Sequence, residues 1–276
     1  MNSKNSIILV DPDFDVDSAG DCDLLIKVTA DNFSYAIIDG SENRLVVLYD
    51  HQECTDVVGT LTAQIENEQY LSIPFRSVKA SVYTRNAIAI PNDFFDADQL
   101  NTYAKFFSIR QADRLHLQRL EGRDFTSIFN LTNPLESVFE NRFASGKIFD
   151  HTAPLLSLSK KATGKQLTLD FTVGSFNAML TEGQDLIFQN CYETEDLEEF
   201  NYYLLLMIHQ LRLDRAATTV FLSGIIHDGD KKFEAIKQYF SKVEFNVHQA
   251  NKLDVAILED MPDQYYSSLL ALQSCE

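Results

Sequence analysis

Two distant stretches of the chain show the same order of apolar and polar positions. Residues 24–49 and residues 167–190 each contain three short runs with the alternation of a β-strand, and turn-forming residues separate the runs. In one register, four pairs coincide: Leu24 with Leu167, Thr29 with Thr172, Phe33 with Phe176 and Gly40 with Gly183. Because such short connections join only antiparallel neighbours, each stretch predicts a three-stranded β-meander, and together they predict an internal duplication.

Helical periodicity follows each predicted meander. In the first half, Val58, Leu61 and Ile65 share one helical face, and in the second half residues 197–211 carry a broad apolar stripe. The face of this second helix that we expect to be inaccessible consists of Phe200, Leu204, Met207 and Leu211. An apolar strand then follows at residues 219–226. Strands separated by helices imply parallel pairs beside each meander, so the pattern predicts mixed sheets with helices on both faces.

The repeat also predicts how the chain is divided. We place a first half at residues 22–160 and a second at residues 161–276, each of them an α/β unit. The boundary falls within residues 110–165, where the pattern is least clear.

An aspartate-rich segment, residues 1–21, precedes the first half. Its spacing of aspartates is like the start of a calcium-binding loop. However, Val16 stands where such a loop needs glycine, and Cys22 stands where it needs a bidentate glutamate. We therefore interpret residues 1–21 as an acidic, partly mobile N-terminal segment.

Composition narrows the classes of partner. The 276 residues are 45% hydrophobic and 23% charged, which is ordinary for a globular protein, but the formal net charge is −18. A field of that sign repels phosphate backbones, so nucleic acid is not expected as a direct partner. The first apolar run has only four residues, 7–10, which is too short for membrane insertion, and the four cysteines form no Cys-x-x-Cys pair. These features predict a cytoplasmic protein with reduced thiols.

A meander followed by alternating helices and strands, present twice, is similar to the duplicated ribonuclease-H-like fold. Actin, sugar kinases, Hsp70 chaperones and the ATPase-like proteins of pilus and secretion systems share that plan. Residues 87–95 (AIAIPNDFF), 186–190 (LIFQN) and 221–224 (FLSG) resemble the motifs of an uncharacterised bacterial family with this fold. The resemblance extends from about residue 22 to the C terminus. It implies an actin-like ATPase fold of the α/β class, in which two ribonuclease-H-like halves, with mixed sheets flanked by helices, face each other across a cleft.

The resemblance also implies where a nucleotide would bind. In active members of the actin-like superfamily, the first hairpin of each half carries an acidic residue and a glycine-rich turn, which hold magnesium and phosphate. The second half matches this pattern with Asp170, Gly174 and Ser175, and Gly224 stands where the adenosine-binding glycines are expected. These four residues are the predicted cofactor-binding positions, should ATP and Mg²⁺ bind.

The first half departs from the active pattern. Lys27 stands where the acid is expected, residues 30–32 (ADN) contain no glycine, and isoleucines at positions 225 and 226 follow Gly224. A ribonuclease-H nuclease needs several carboxylates around two metal ions, so Lys27 argues against nuclease activity as well. No P-loop, G-x-S-x-G or H-E-x-x-H sequence occurs. We therefore predict no catalytic residue, no metal ligand and no cofactor.

Two functions remain open from the sequence. The leading hypothesis is a catalytically inactive protein of actin-like fold that acts as a scaffold or interaction protein for a protein partner. The alternative is a nucleotide-binding protein or weak ATPase that uses the cleft between the halves. The first predicts an apolar or irregular cleft, whereas the second predicts hydrogen-bond donors around Asp170, Gly174 and Gly224.

Overall fold

The computed structural model describes residues 5–107, 114–120, 122–159, 164–248 and 252–276. In chain order its strands are β1 (Ser6–Val10), β2 (Cys22–Val28), β3 (Phe33–Asp39), β4 (Arg44–His51), β5 (Ser77–Val82), β6 (Ala87–Pro91), β7 (His116–Arg119), β8 (Phe125–Phe129), β9 (Lys147–Asp150), β10 (Lys165–Phe171), β11 (Ser175–Glu182), β12 (Asp185–Glu193), β13 (Thr219–Gly224) and β14 (Lys242–Phe245). Its α-helices are α1 (Val57–Asn67), α2 (Leu100–Tyr103), α3 (Asn133–Arg142), α4 (Thr152–Leu158), α5 (Leu197–Gln210), α6 (Lys231–Tyr239) and α7 (Ser267–Leu270).

The predicted duplication is confirmed as two antiparallel meanders in separate mixed sheets. The first sheet has the strand order β1-β4-β3-β2-β5-β9, and the second has the order β12-β11-β10-β13-β14. In each sheet the first meander strand also pairs in parallel with a later strand, β2 with β5 and β10 with β13. The register shifts after Ile37 in the first meander and after Leu180 in the second, at matching positions of the repeat.

The second turn of each meander is where the two copies differ. Residues 40–43 connect β3 to β4, whereas only residues 183 and 184 connect β11 to β12. The shorter turn requires a left-handed backbone, which Gly183 supplies with φ of +61°. The third strands are therefore displaced by two residues relative to the register of the first two strands.

Each sheet buries one apolar face under helices. The first core includes Leu61 of α1 and Phe139 of α3, and the second includes Leu204 of α5 and Ile236 of α6. The predicted face of α5 is confirmed for Phe200, Leu204 and Met207, which are all buried. Leu211 is only half-buried because it follows the last residue of the helix.

Two features of the chain depart from a simple division into halves. Between β5 and β9, three strands form an extra antiparallel sheet in the order β6-β8-β7, which the sequence analysis did not predict. The C-terminal segment, assigned by sequence to the second half, packs through Leu269, Leu270 and Leu272 on the outer face of the first sheet.

The segment before the first meander contributes to the first sheet. β1 pairs with β4 from Ser6 opposite His51 to Val10 opposite Val47. The N–H of Asp11 then donates to the carbonyl of Val46 at 2.9 Å. Ser6–Val10 therefore extends the sheet by one antiparallel strand.

Candidate functional site

The first hairpin loop of each half closes in the same way. We call Thr29–Asn32 the first loop and Thr172–Ser175 the second loop. Thr29 N–H donates to the carbonyl of Asn32, and Thr172 N–H donates to that of Ser175, both at 2.9 Å. Each threonine Oγ1 also accepts the N–H of residue 32 or 175 at 2.9 Å. The repeated threonine therefore gives the two loops one backbone shape.

Asp31 of the first loop reaches across the cleft into the second loop. Its carboxylate accepts the Gly174 N–H at 2.9 Å and the Ser175 hydroxyl at 2.9 Å, while Thr172 Oγ1 lies 2.9 Å from both carboxylate oxygens. One backbone N–H and two hydroxyl groups thus converge on one carboxylate, and we call this set of donors the nest. A Cβ at residue 174 would lie 3.1 Å from Asp31 Oδ2, so glycine permits the approach. The donors that the sequence assigned to phosphate therefore hold a carboxylate of the same chain.

An ion pair joins the two halves below the loops. Lys27 Nζ lies 2.6 Å from Asp170 Oδ2, and both side chains are buried. Lys27 also donates to Ser268 Oγ at 2.7 Å, and Ser223 Oγ donates to Asp170 Oδ1 at 2.7 Å. Ser268 Oγ donates to Asp170 Oδ2 at 3.0 Å. Lys27 and Asp170 occupy matching positions in the repeat, so the lysine neutralises the acid of the other copy.

Little space remains between the halves at this ion pair. The cavity lined by Lys27, Asp50, Ile225 and Tyr266 has a volume of about 10 Å³, close to the minimum for one water molecule. Asp50 accepts from Asn32 Nδ2 at 2.7 Å, and burial raises the pKa of its carboxyl. Asn32, Asp50 and Tyr266 therefore fill the cleft with packed, hydrogen-bonded groups. The cleft is closed but polar, so it is not the apolar or irregular cleft that the scaffold hypothesis predicts.

Gly224, the predicted adenosine-binding glycine, lies against β10. Its φ is +77°, and an added Cβ would lie only 2.0 Å from the carbonyl oxygen of Phe171. Its N–H donates to the carbonyl of Gln264 at 2.9 Å. The glycine is required here for close packing of two backbones, whatever else it binds.

Lys232 is a cation near the loops that the sequence analysis did not identify. Its ammonium lies over the rings of Phe171 and Phe200, 5.8 and 5.9 Å from their centroids. Burial lowers the pKa of Lys232, and the charge of Asp31 partly opposes that shift. No sequence motif around Lys232 or Ser268 indicates its role, because each side chain contacts residues of other helices and strands. The signal for Asp31 was an acid in a turn where the other repeat has glycine.

Solved structures share this architecture. A crystal structure from Bacteroides thetaiotaomicron VPI-5482, described as a protein with actin-like ATPase fold and unknown function, is similar with a TM-score of 0.76 and 17% identity, covering 95% of this chain and 99% of that chain. A chain of the PilM-PilN type IV pilus biogenesis complex gives a TM-score of 0.58 at 12% identity, covering 90% of this chain and 96% of that chain. These similarities confirm the predicted actin-like ATPase fold.

For ATP and Mg²⁺ to bind as the resemblance implies, the second loop, Asp170 and the space between the halves would have to be free. Asp31 occupies the donors of the second loop, Lys27 occupies Asp170, and the cavity between them is about 10 Å³. A nucleotide does not fit this arrangement unless the two loops separate. Among the described residues, no cluster of three or more acidic, histidine or cysteine side chains could hold a metal ion.

Sequence comparison assigns the family without adding an activity. No curated protein matches the chain. In the described part of the chain, no helix is both long enough and apolar enough to span a membrane. Residues 11–243, however, match the family described as "Protein of unknown function (DUF3822)". The chain therefore belongs to the DUF3822 family, as its packing motifs and duplicated actin-like fold predict.

Proposed function

We propose that this protein is a catalytically inactive protein of actin-like fold that acts as a scaffold or interaction protein. The observation that carries the proposal is the contact of the Asp31 carboxylate with Gly174 and Ser175, reinforced by the Lys27–Asp170 ion pair. Side chains of the first half thus occupy both the phosphate donors and the acidic residue of the second half.

Energetics support a closed cleft. A hydrogen bond to a charged group contributes about 1.5–3 kcal/mol, and separating a buried ion pair leaves charges without compensation. A nucleotide entering the cleft would have to replace the contacts of Asp31 and of Lys27. Because every increment of about 1.4 kcal/mol in that cost weakens the apparent affinity for ATP tenfold, these contacts disfavour nucleotide binding.

Protein association is the activity that remains for such a molecule. One structural neighbour is a chain of the PilM-PilN complex, so this fold is compatible with assembly into a protein complex. The net charge of −18 favours a basic protein surface over nucleic acid as the partner.

We also propose a cytoplasmic location. All four cysteines are free thiols, and Cys22, Cys54 and Cys275 are buried among apolar side chains. Free buried thiols are typical of a reducing compartment. Fractionation of the native cell with an antibody against this chain tests the location directly, and recovery from a membrane or extracellular fraction would contradict it.

The alternative is a nucleotide-binding protein or weak ATPase, and one observation favours it. The donors of Thr172, Gly174 and Ser175 already bind a carboxylate, and the same nest would accept a phosphate oxygen if Asp31 withdrew. Lys27 could then contact phosphate as well.

Calorimetry with ATP and Mg²⁺ separates the two functions. We expect no hydrolysis and no binding tighter than about millimolar by the wild-type protein. Micromolar binding that Asp170→Ala or Gly174→Val abolishes would replace the scaffold proposal with the alternative. Gly20→Val is the matched control, because a Cβ at residue 20 meets no atom within 4 Å.

A further inference from the structure

A groove beside the end strand of the second sheet is larger than the closed cleft. We call it the β12 groove. Its volume is about 520 Å³, within the usual range of ligand sites. Residues 189–193 of β12 line it together with Tyr83, Arg85 and Ala87, where the chain passes from β5 to β6. Among the described strands, β12 and β6 are both end strands of their sheets, so each has one side without a strand partner.

The backbone of β12 has N–H and C=O groups on this outer side that pair with no strand among the described residues. Thr194 N–H donates to the carbonyl of Gly174 on the β11 side. Because hydrogen bonding alternates along an antiparallel pair, residues 192 and 190 also face β11, and Gln189, Cys191 and Glu193 direct their backbone groups outward. The N–H of Cys191 accordingly donates at 3.0 Å to the side chain of Asn190 rather than to a strand. Residues 189–193 span about 14 Å between their first and last Cα atoms, at roughly 3.4 Å per residue.

Unsatisfied polar side chains also line the groove. His151 is only 8% exposed, and neither of its ring nitrogens has a hydrogen-bond partner within the described residues. Gln189 Oε1 likewise has no partner there. Burial lowers the pKa of His151, so its ring is neutral and offers one donor and one acceptor. All three atoms are buried beneath the groove surface, so a bound peptide would meet the edge of β12 and not these atoms.

We infer that the β12 groove binds an extended, positively charged peptide segment of another protein, which adds to the second sheet along the outer edge of β12. A peptide backbone supplies alternating N–H and C=O groups, which match the outward N–H and C=O groups of β12. Within the groove Arg85 pairs with Glu193, so the preference for a basic segment rests on the whole chain's net charge of −18, which attracts such a segment over long range. This inference rests on the proposed function, because it names the partner surface of an interaction protein.

The probe is a phage-displayed library of linear random peptides without cysteine, selected against the full chain. We expect enriched peptides with net positive charge and alternating β-formers. Their affinity for wild type should fall as salt screens the charge. In calorimetry, Gln189→Pro should weaken the best peptide at least about tenfold, because proline removes an outward N–H without removing a bond to β11.

Matched variants test whether the backbone edge of β12, and not a side chain or another strand edge, binds the peptide. Gln189→Ala keeps the backbone N–H, so it should weaken binding less than Gln189→Pro. Ile8→Pro places the same change on an outward position of β1, the end strand of the first sheet, and should leave binding unchanged. Cys191→Pro is a second edge variant if Gln189→Pro lowers the thermal midpoint of unfolding.

Three results would overturn the inference: no enriched peptide, equal peptide binding by wild type and both proline variants of β12, or a dimer of this chain that Gln189→Pro dissociates. None of these three results tests whether the cleft between the halves binds ATP. Failure of the proposed function has its own readout, which is micromolar ATP binding sensitive to Gly174→Val.

Discussion

The first and second loops have one backbone shape but opposite chemistry. Both are closed by a threonine, yet the first presents the carboxylate of Asp31, and the second presents the N–H of Gly174. Two residues before each loop, the first half presents Lys27 and the second presents Asp170. The side chains of the two copies are therefore complementary to each other. The comparison teaches that repeats with one backbone shape can close the cleft between them through differences in a few side chains.

The largest expected effect comes from removing the lysine of this pair. Lys27→Met leaves Asp170 buried with Ser223 and Ser268 but without a cation, so the free energy of unfolding should fall by about 3–5 kcal/mol. Urea denaturation measures the loss. Arg85→Met is the control, since its ion pair with Glu193 is exposed and such pairs contribute about 0–1 kcal/mol.

A double variant tests whether the loss arises from the unpaired charge. Lys27→Met combined with Asp170→Leu should recover much of the stability, because no buried carboxylate remains. A loss below about 1 kcal/mol for Lys27→Met, or no recovery in the double variant, would show that the two halves do not depend on this contact.

Equivalent substitutions in the cores of the two halves should lower the free energy of unfolding by similar amounts, although the loops of the halves differ in chemistry. Leu61 of α1 and Leu204 of α5 are both fully buried in the helix that follows each meander. Leu61→Ala and Leu204→Ala should each lower the free energy of unfolding by about 2–5 kcal/mol. A loss below about 1 kcal/mol for Leu204→Ala would indicate that its stripe is a partner surface instead.

The meanders and α5 could be predicted because their signals are local. Alternation and turn residues define β2–β4 and β10–β12, and the α5 stripe follows helical spacing. The β6-β8-β7 sheet was not predicted, although residues 87–95 stood out as a motif, because β7 has only four residues and β8 pairs with a strand far from it in sequence. Packing of Leu269 on the first sheet depends on contacts far apart in sequence, which no periodicity reveals.

The candidate site was only partly predictable for the same reason. The positions of Asp170, Gly174 and Ser175 follow from the hairpin pattern, and their binding of a cofactor stays a prediction. Their contacts with Lys27 and Asp31 join residues on opposite halves. The sequence shows Lys27 where the resemblance predicts an acid, but it does not show that this lysine contacts Asp170.

Asp31→Ala should have a smaller effect on stability than Lys27→Met. Asp31 is half-buried, so water can replace part of its contact with the second loop, and we expect a loss of about 1–3 kcal/mol. The emptied nest should then bind an anion, so sulfate should raise the thermal midpoint of Asp31→Ala more than that of wild type. Adding Gly174→Val should remove this difference, and an equal sulfate response in both proteins would contradict the role of Asp31.

The smallest effect concerns the third strands, where Asp50 pairs with Ser34 and Cys191 with Asn177 at matching positions. Burial raises the pKa of Asp50 and raises that of Cys191 to about 12, so both sites favour the neutral form. Because folded Asp50 binds its proton more tightly than the unfolded chain, its stabilising contribution is complete below the unfolded pKa, about 3.9, and is lost as pH rises through the folded pKa.

Asp50→Asn removes the pH dependence of stability that Asp50 contributes. Wild type should therefore gain stability relative to Asp50→Asn as pH falls from neutral towards the unfolded pKa, which urea denaturation across that range measures. Asp39→Asn should show the opposite trend, because hydrogen bonds from Ser41 lower the pKa of Asp39, and its contribution is lost as pH falls. Equal slopes for the two variants would mean that burial of Asp50 in the closed cleft does not control its protonation, and the cleft would then admit more water than its packing indicates.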